Sequence, residues 1–279
     1  MERGAQVSKA QAFLELHHGP RILVLPNAWD AWSARIFEAA GFPALGTTSA
    51  GVAWAFGYAD GERISRDEML DAVGRIVRAV SVPVTADMEA CYSGTAAGVA
   101  DTVRGVIAAG AVGLNFEDGI RGAQRAIADL APQVEKIRAL REAATSAGVP
   151  LVLNARTDVY LAQVGEPSER FRLAVGRANA YRAAGADCLF VPGVRDRETI
   201  AGLVREITGP VNILAGPGLP PIAELEQLGV ARLSLGSSAA RATMKSLQGF
   251  ARSLHEGDIR PILGEGTPSH ADMNRLFEG

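Results

Sequence analysis

Residues 108–118 read Ala-Ala-Gly-Ala-Val-Gly-Leu-Asn-Phe-Glu-Asp, which is a helix end, a glycine, an apolar run and then two carboxylates. Gly110 supplies the left-handed conformation that commonly ends a helix. The apolar run is typical of a strand that is buried on both faces of a parallel sheet. The same order of helix end, glycine and strand recurs at 40–42, 147–149, 184–186 and 228–230.

Short runs rich in Val, Ile and Leu alternate eight times with longer segments of helical period. Eight units predict an α/β fold of the (β/α)8 TIM-barrel type, which typically takes about 250 residues. A doubly wound open sheet is the alternative, but it usually has fewer strands and a Gly-rich G-x-G-x-x-G turn after the first. Here that turn reads Pro26-Asn27-Ala28-Trp29-Asp30. The predicted strands are 22–27, 44–49, 82–89, 111–117, 150–157, 186–191, 211–215 and 231–236.

The 279 residues suit one barrel domain with a tail. We expect the barrel over residues 1–257 and a C-terminal extension over 258–279. The extension contains prolines and glycines and should pack on the barrel or on a neighbouring subunit. Ser65 with Glu68 three residues later is a capping box, which predicts a helix start at that point.

Charge and cysteine content exclude several partner classes. With 28 basic and 31 acidic residues the net charge is −3, so no strong field favours nucleic acid or anionic lipid. The two cysteines, Cys91 and Cys188, are too few for a disulfide framework and suit a reducing compartment. Residues 1–18 lack the apolar core of a signal peptide, and no later run is long enough to span a membrane. We expect a cytoplasmic protein without nucleic-acid or membrane partners.

Polar residues at the carboxyl ends of the strands are the candidate site, because barrels of this kind place function there. Side-chain alternation predicts that Asp87 and Glu89 share one face at the end of strand three. Glu117 ends strand four, and Arg156 and Asp158 end strand five. Hard oxygen ligands with one guanidinium suit Mg2+ held partly through water and a carboxylate substrate held by arginine. The alternative is a set of structural ion pairs at the barrel rim.

Missing residue types narrow the chemistry. The four histidines lie in the end segments and the three lysines lie in predicted helices, so the strands supply neither an imidazole base nor a Schiff-base lysine. No G-x-S-x-G elbow is present, which argues against a serine hydrolase. The turns at 215–218 and 235–238 follow strands seven and eight, where many barrels bind phosphate through backbone N–H groups. Glycine there is also compatible with a simple tight turn.

Taken together in order and spacing, five phrases resemble the isocitrate lyase/phosphoenolpyruvate mutase superfamily over about residues 20–250. They are Pro26-Asn27-Ala28-Trp29-Asp30, Thr47-Thr48-Ser49-Ala50-Gly51, Ala86-Asp87-Met88-Glu89-Ala90, Asn115-Phe116-Glu117-Asp118-Gly119 and Ala155-Arg156-Thr157-Asp158. The resemblance implies Mg2+, with Mn2+ as a substitute, surrounded largely through water by Asp87, Glu89 and Glu117.

The same resemblance implies the roles of the remaining site residues. The catalytic set is Asp60, which matches an aspartate of a gating loop, with Arg156 and Glu117. The substrate-binding set is Thr48, Ser49, Ala50, Asp87, Arg156 and Asn212, with Arg156 on a substrate carboxylate and residues 48–50 on the other.

Subunit assembly is also implied, since members of the superfamily exchange the eighth helix between subunits. The predicted eighth helix, 238–255, carries an apolar face with no later helix to cover it. A homodimer or homotetramer is therefore expected. The residues of that face are Met244, Leu247, Phe250 and Leu254.

Two departures from the superfamily patterns affect the expected reaction. The lyases that cleave isocitrate, methylisocitrate or dimethylmalate carry Lys-Lys-Cys-Gly-His after strand four, where this chain has Gly119-Ile120-Arg121-Gly122-Ala123. The phosphonomutases carry a longer loop there, with asparagine and lysine. Cys91 follows Glu89 closely, and we expect it to be a buried, inert cysteine.

The leading hypothesis is a Mg2+-dependent carbon–carbon lyase or decarboxylase. It would act on a small 2-oxo (di)carboxylate such as oxaloacetate through an enolate intermediate. One alternative is a phosphonate-forming or phosphonate-cleaving enzyme of the phosphonomutase type. Another is a non-catalytic protein that binds 2-oxo acids.

Overall fold

The computed structural model describes residues 3–120, 122, 125–263 and 266–278. Its strands are β1 Leu23–Leu25, β2 Asn27–Ala28, β3 Leu45–Thr47, β4 Val84–Asp87, β5 Gly113–Glu117, β6 Val152–Arg156, β7 Cys188–Phe190, β8 Val211–Leu214 and β9 Arg232–Ser234. Its helices are α1 Arg3–Leu16, α2 Ala31–Ala39, α3 Ser49–Ala55, α4 Arg66–Ala79, α5 Ala96–Ala108, α6 Leu130–Ser146, α7 Arg170–Ala183, α8 Arg197–Glu206, α9 Ile222–Gln227, α10 Ser238–His255, α11 Arg260–Leu263 and α12 His270–Phe277.

The strands form one nearly closed parallel barrel in the order β1-β9-β8-β7-β6-β5-β4-β3-β2. β1 and β2 are two pieces of the predicted first strand, separated by Pro26, which has no N–H to donate to a neighbouring strand. β1 pairs with β9 and β2 pairs with β3, so the divided strand connects the two edges. The predicted (β/α)8 TIM barrel is confirmed, with the first strand broken at one residue.

The pairing register aligns two rows of residues across the barrel, and all of them except Phe190 carry polar side chains. The rows are Asp87, Asn115 and Asn154 on β4 to β6, and Glu117, Arg156, Phe190, Asn212 and Arg232 on β5 to β9. The second row lies nearer the carboxyl ends of β5 and β6, because Glu117 and Arg156 are the last residues of these strands. The barrel therefore carries polar groups well below its mouth.

The end of β4 differs from the sequence prediction. The strand ends at Asp87, and Glu89, Cys91 and Tyr92 have φ of 52°, 60° and 58°. Non-glycine residues rarely adopt this left-handed conformation, and such residues cluster at functional sites. The alternation argument for Asp87 and Glu89 is therefore wrong, since it holds only for an extended backbone.

Two helix positions that the sequence predicts are confirmed, whereas the expectation that no helix follows 238–255 is wrong, because α11 and α12 come after it. Ser65 and Glu68 form the predicted capping box of α4. Helix α10 coincides with the predicted eighth helix, and Ala240 is its buried residue. Helix α12 contacts α2. No helix in the described ranges is both long and apolar enough to cross a membrane. The apolar residues of α10 are 38 to 64% exposed in the single chain, namely Met244, Leu247, Phe250 and Leu254.

Candidate active site

A cavity of about 310 Å³, here named the mouth cavity, opens at the carboxyl ends of the strands. Residues outside the predicted catalytic, substrate-binding and metal-binding sets also line it, among them Asn27, Asn115, Ser234, Ser237 and Arg241. The predicted residues on its wall are Thr48, Ser49, Ala50, Asp60, Asp87 and Arg156. The structure thus brings six of the predicted site residues to one cavity.

One side of the mouth cavity is built around Asp87. The backbone N–H and the hydroxyl of Ser49 both donate to Asp87 Oδ2, at 3.0 and 2.9 Å. Asn115 Nδ2 donates to Asp87 Oδ1 at 3.4 Å. Thr48 caps α3 by accepting from Gly51 N at 3.4 Å, which places Ser49 in the first turn of that helix. The start of α3 therefore presents donors to an anion, and Asp87 is the anion that they bind in this structure.

Arg156 forms a second cluster with Glu117 and Asp158. Its Nε and Nη2 donate to the two carboxylate oxygens of Asp158, at 2.6 and 2.9 Å. Its Nη1 lies 2.7 Å from Glu117 Oε2. Burial raises the pKa of Glu117 well above its usual range; Arg156 opposes this shift, and Asp158 and Asp87 add to it. Asp158 therefore holds the side edge of the guanidinium, and the remaining N–H groups are the ones available to a ligand.

A second cavity of about 200 Å³, here named the acid cavity, lies on the other side of this cluster. Glu62, Glu89, Glu117 and Asp158 line it. Glu89 is 7% exposed, and its Oε1 has no hydrogen-bond partner among the described residues. Burial raises the pKa of Glu89 to about 8, with further contributions from Asp87 and Asp60. The raised pKa values of Glu89 and Glu117 reflect burial close to other carboxylates, and a cation nearby would oppose that repulsion.

The predicted metal ligands lie on two cavity walls. Asp87 lines the mouth cavity, while Glu89 and Glu117 line the acid cavity. Over the described residues, no group of three or more His, Cys, Asp or Glu side chains is arranged to hold a metal ion. Asp87 is bound by Ser49, and Glu117 is bound by Arg156. The orphaned oxygen of Glu89 and the raised pKa values nevertheless fit a hard divalent cation that keeps several of its waters.

Asp60, Asn212 and Cys91 occupy different depths. Asp60 belongs to the loop at 57–63, which lines a further cavity of about 820 Å³ as well as the mouth cavity. Burial raises the pKa of Asp60; a Gly61 N–H opposes this shift, and Asp87 adds to it. Asn212, predicted to bind substrate, is fully buried behind the wall of the mouth cavity, and its Nδ2 donates to Ser234 Oγ on that wall at 3.0 Å. Cys91 is a fully buried free cysteine, and burial raises the pKa of its thiol.

A separate buried cluster supports the loop after β5. Asp118 Oδ2 accepts from Arg177 Nε at 2.8 Å and from the Tyr181 hydroxyl at 2.7 Å. Asp118 Oδ1 accepts from the backbone N–H of Asp158 at 2.8 Å, and Arg177 Nη2 donates to Ala128 O at 2.6 Å. This network fixes the backbone on which Glu117 and Asp158 sit. Of the loop that departs from the lyase pattern, Arg121 and Ala123 lie outside the described residues.

A comparison of this chain with known protein families gives a match over most of its length. The family model described as phosphoenolpyruvate phosphomutase matches residues 13–255. The chain belongs to this family. It thereby falls in the isocitrate lyase/phosphoenolpyruvate mutase superfamily, and the resemblance of the five phrases is confirmed.

Three similar proteins illustrate the range of this family. An oxaloacetate decarboxylase from Rhodopseudomonas palustris (strain BisA53) is 30% identical, over 80% of this chain and 78% of that protein. The crystal structure of a protein from Burkholderia cenocepacia J2315, described as a lyase/mutase, superposes with a TM-score of 0.91 and 37% identity, over 99% of this chain and 98% of that one. The crystal structure of phosphonopyruvate hydrolase in complex with oxalate and Mg2+ superposes with a TM-score of 0.84 and 25% identity. The superposition covers 96% of this chain and 94% of that one.

Proposed function

We propose that this chain is a Mg2+-dependent carbon–carbon lyase that decarboxylates a small 2-oxo dicarboxylate such as oxaloacetate through an enolate. The observation that carries the proposal is the mouth cavity, whose wall holds the hydrogen-bond donors of Ser49 and Arg156 together with the carboxylates of Asp60 and Asp87. Arg156 also contacts Glu117, whose pKa burial raises. The volume of about 310 Å³ suits a small diacid. The relation to an oxaloacetate decarboxylase supports the same substrate class.

Arg156 would bind one substrate carboxylate through the N–H groups that Asp158 and Glu117 leave free. Charge-assisted hydrogen bonds from a planar guanidinium fix the direction of a carboxylate as well as its position. Phe190 lies under the guanidinium, with 5.8 Å between Cζ and the ring centroid, and restricts its movement. Holding the substrate in this way would orient the breaking carbon–carbon bond perpendicular to the plane of the forming enolate.

The start of α3 would bind the other carboxylate. Ser49 offers an N–H and a hydroxyl, both now directed to Asp87, and Ala50 and Thr48 line the same wall. Asp60 is the proposed proton carrier, because burial raises its pKa and it lies on the cavity wall. A carboxyl that keeps its proton nearer neutral pH can return one to the enolate carbon.

Asp87, Glu89 and Glu117 would hold the cation, partly through water. Mg2+ bound there supplies a Lewis acid that stabilises the developing enolate oxygen. The protein's own contribution is the repulsion among these carboxylates, which favours binding of a divalent ion.

A phosphonate-cleaving reaction is the second candidate. Arg241 adds a cation to the cavity wall, and Gly236 and Ser237 line the same region, in a turn that suits a phosphate-like group. The likeness to phosphonopyruvate hydrolase supports this class of substrate.

The deciding experiment supplies oxaloacetate or phosphonopyruvate to the protein with Mg2+ or with EDTA, and follows pyruvate and inorganic phosphate. We expect Mg2+-dependent pyruvate release from oxaloacetate above the rate of the Arg156→Met variant, which corrects for decarboxylation by free metal. Phosphate release from phosphonopyruvate would favour the second candidate. No turnover of either substrate, with oxalate still bound, would leave the non-catalytic binding protein as the better account.

The assembly is proposed to be a homodimer or homotetramer built on α10. The exposed apolar residues of this helix, such as Leu247 and Leu254 at 64% and 54% exposure, would be buried by a second copy of the chain. Sedimentation velocity at micromolar concentration should show the oligomer. A stable monomer under these conditions would contradict the proposal.

A further inference from the structure

Arg232 is fully buried inside the barrel, on β9. Its hydrogen-bond partners are neutral: Nε donates to Ser234 Oγ at 3.0 Å and Nη2 donates to Asn115 Oδ1 at 3.4 Å. Its Nη1 has no hydrogen-bond partner among the described residues. A buried charge without an ion pair is costly for the fold, so its presence needs a compensating interaction.

The contact with Ser234 fixes the polarity of that hydroxyl. Ser234 Oγ accepts from Arg232 Nε and from Asn212 Nδ2, both at 3.0 Å. A guanidinium can only donate, and a hydroxyl has two lone pairs and one hydrogen. Both lone pairs are therefore occupied, and the hydrogen is left to donate. Because Ser234 lines the mouth cavity, this hydrogen is available to an oxygen of a ligand.

The contact with Asn115 has a parallel effect on Asp87. Asn115 Oδ1 accepts from Arg232 Nη2 and from Asn154 Nδ2, the latter at 2.7 Å. Two donors hold the oxygen end of the amide inward, which turns Asn115 Nδ2 toward Asp87 Oδ1 at 3.4 Å. Arg232 thus contacts two side chains of the mouth-cavity wall, Ser234 and Asn115, and it acts on Asp87 through Asn115.

We propose that Arg232 is a positioning residue of the active site: it sets Ser234 as a hydrogen-bond donor to the anionic ligand and orients Asn115 toward Asp87. Its buried positive charge also favours an anion in the mouth cavity. The proposal rests on the proposed function in taking that ligand to be a small 2-oxo acid. Burial lowers the pKa of Arg232 to about 10, so the side chain stays charged at neutral pH.

Arg177 provides the matched comparison. It too is a buried arginine, but Asp118 and Tyr181 satisfy it away from the mouth cavity. A substitution of Arg177 removes a partner that Asp118 needs, whereas a substitution of Arg232 by an apolar side chain removes an unpaired charge. The two variants should therefore differ in both stability and ligand binding.

The test is calorimetric titration of oxalate at saturating Mg2+ for wild type, Arg232→Met and Arg177→Met, with the melting temperature of each. Arg232→Met should bind oxalate about tenfold or more weakly, as expected for the loss of a charge-supported hydrogen bond, with a melting temperature no lower than that of wild type. Arg177→Met should melt earlier than wild type and than Arg232→Met, and it should lose less oxalate affinity than Arg232→Met does. A lower melting temperature for Arg232→Met with unchanged affinity would make Arg232 a structural residue and overturn the proposal.

The coupling to Ser234 is tested in the same assay. Ser234→Ala should weaken oxalate binding, and the double variant with Arg232→Met should lose less than the product of the two single losses, because one hydrogen bond is removed twice. Independent, fully multiplicative losses would contradict action through Ser234.

Crystal structures of wild type and Arg232→Lys separate this proposal from the proposed function. Lysine keeps the charge but cannot donate to Ser234 and Asn115 from one planar group. We expect the Asn115 amide to rotate and Asp87 Oδ1 to lose its donor. If wild type fails to bind oxalate, the proposed function fails while this structural outcome still decides the role of Arg232. Unchanged Asn115 and Asp87 side chains would overturn the positioning role.

Discussion

Two arginine clusters flank the loop after β5, and they differ in charge balance. In the first, Arg177 pairs with Asp118, and both side chains are nearly closed to solvent, at 6% and 0% exposure. In the second, Arg156 pairs with Glu117 and Asp158, with 19% and 16% exposure for the Arg156–Glu117 pair. The first cluster contains one carboxylate for one guanidinium, and the second contains two and has further carboxylates nearby.

The difference indicates what each cluster does. The Asp118 carboxylate accepts hydrogen bonds from Arg177, from Tyr181 and from a backbone N–H, so it is satisfied without a ligand. The pKa of Glu117 is raised, and one oxygen of the nearby Glu89 has no hydrogen-bond partner in the part of the chain that the structure describes. A buried cluster in which positive and negative charges balance stabilises the fold. A cluster with excess carboxylate charge beside a cavity is suited to bind a cation and an anionic ligand.

The largest expected effect is on stability at the balanced cluster. Asp118→Ala leaves Arg177 buried and unpaired, which should lower the free energy of unfolding by about 3–5 kcal/mol. Asp158→Ala is the control at the other cluster and should cost less than half as much, since Arg156 keeps Glu117 as a partner. Urea denaturation measures both. Equal losses for the two variants would show that the clusters do not differ in this way.

The next effect is on ligand binding at the unbalanced cluster. Arg156→Lys replaces a planar fork by a single ammonium, and we expect oxalate affinity to fall by about 10- to 100-fold, the range for a lost hydrogen bond to a charged group. Arg141→Lys is the control, because Arg141 pairs with Asp187 away from the mouth cavity. Calorimetry with Mg2+ present checks both variants. Unchanged affinity in Arg156→Lys would remove this residue from the site.

The smallest effect is a pH dependence of stability in the cation-free protein. The pKa of Glu89 is about 8 in the folded chain against 4.5 for the ordinary group, so the folded state holds the proton more tightly. The free energy of unfolding should therefore decrease as pH rises from about 4.5 to about 8. Glu89→Gln should remove most of this slope. Chemical denaturation in EDTA at several pH values provides the test, and identical slopes for both proteins would contradict it.

Much of the fold was predictable because it depends on local patterns. The glycine that follows five of the helices and the apolar runs located the eight strands, and the Ser65–Glu68 spacing located the start of α4. Pro26 divides the first strand into β1 and β2. The apolar content of residues 22–27 predicted one continuous strand there. At the site, the strand-end rule identified Asp87 and Arg156, both of which line the mouth cavity.

The remaining site residues depend on features that a linear pattern does not show. Glu89 follows β4 in a left-handed conformation, so strand alternation could not place its carboxylate. Arg241 comes from helix α10, outside the barrel strands to which the strand-end rule applies. Arg232 and Ser234 are two residues apart on β9 and share its inner face, a signal that alternation could have given. An arginine within a short barrel strand is the sequence feature that marks this position.

The central claim, that a divalent cation at the Asp87, Glu89 and Glu117 carboxylates is needed for ligand binding, is tested most directly by calorimetric titration of oxalate. Wild type and Asp87→Ala are each titrated with Mg2+ and then with EDTA. We predict that only wild type binds oxalate, and only with Mg2+ present. The Asp87→Ala variant should still fold, because removal of the Asp87 carboxylate relieves repulsion among the carboxylates. Equal, metal-independent affinity in all titrations would contradict the claim and favour a binding protein that needs no metal.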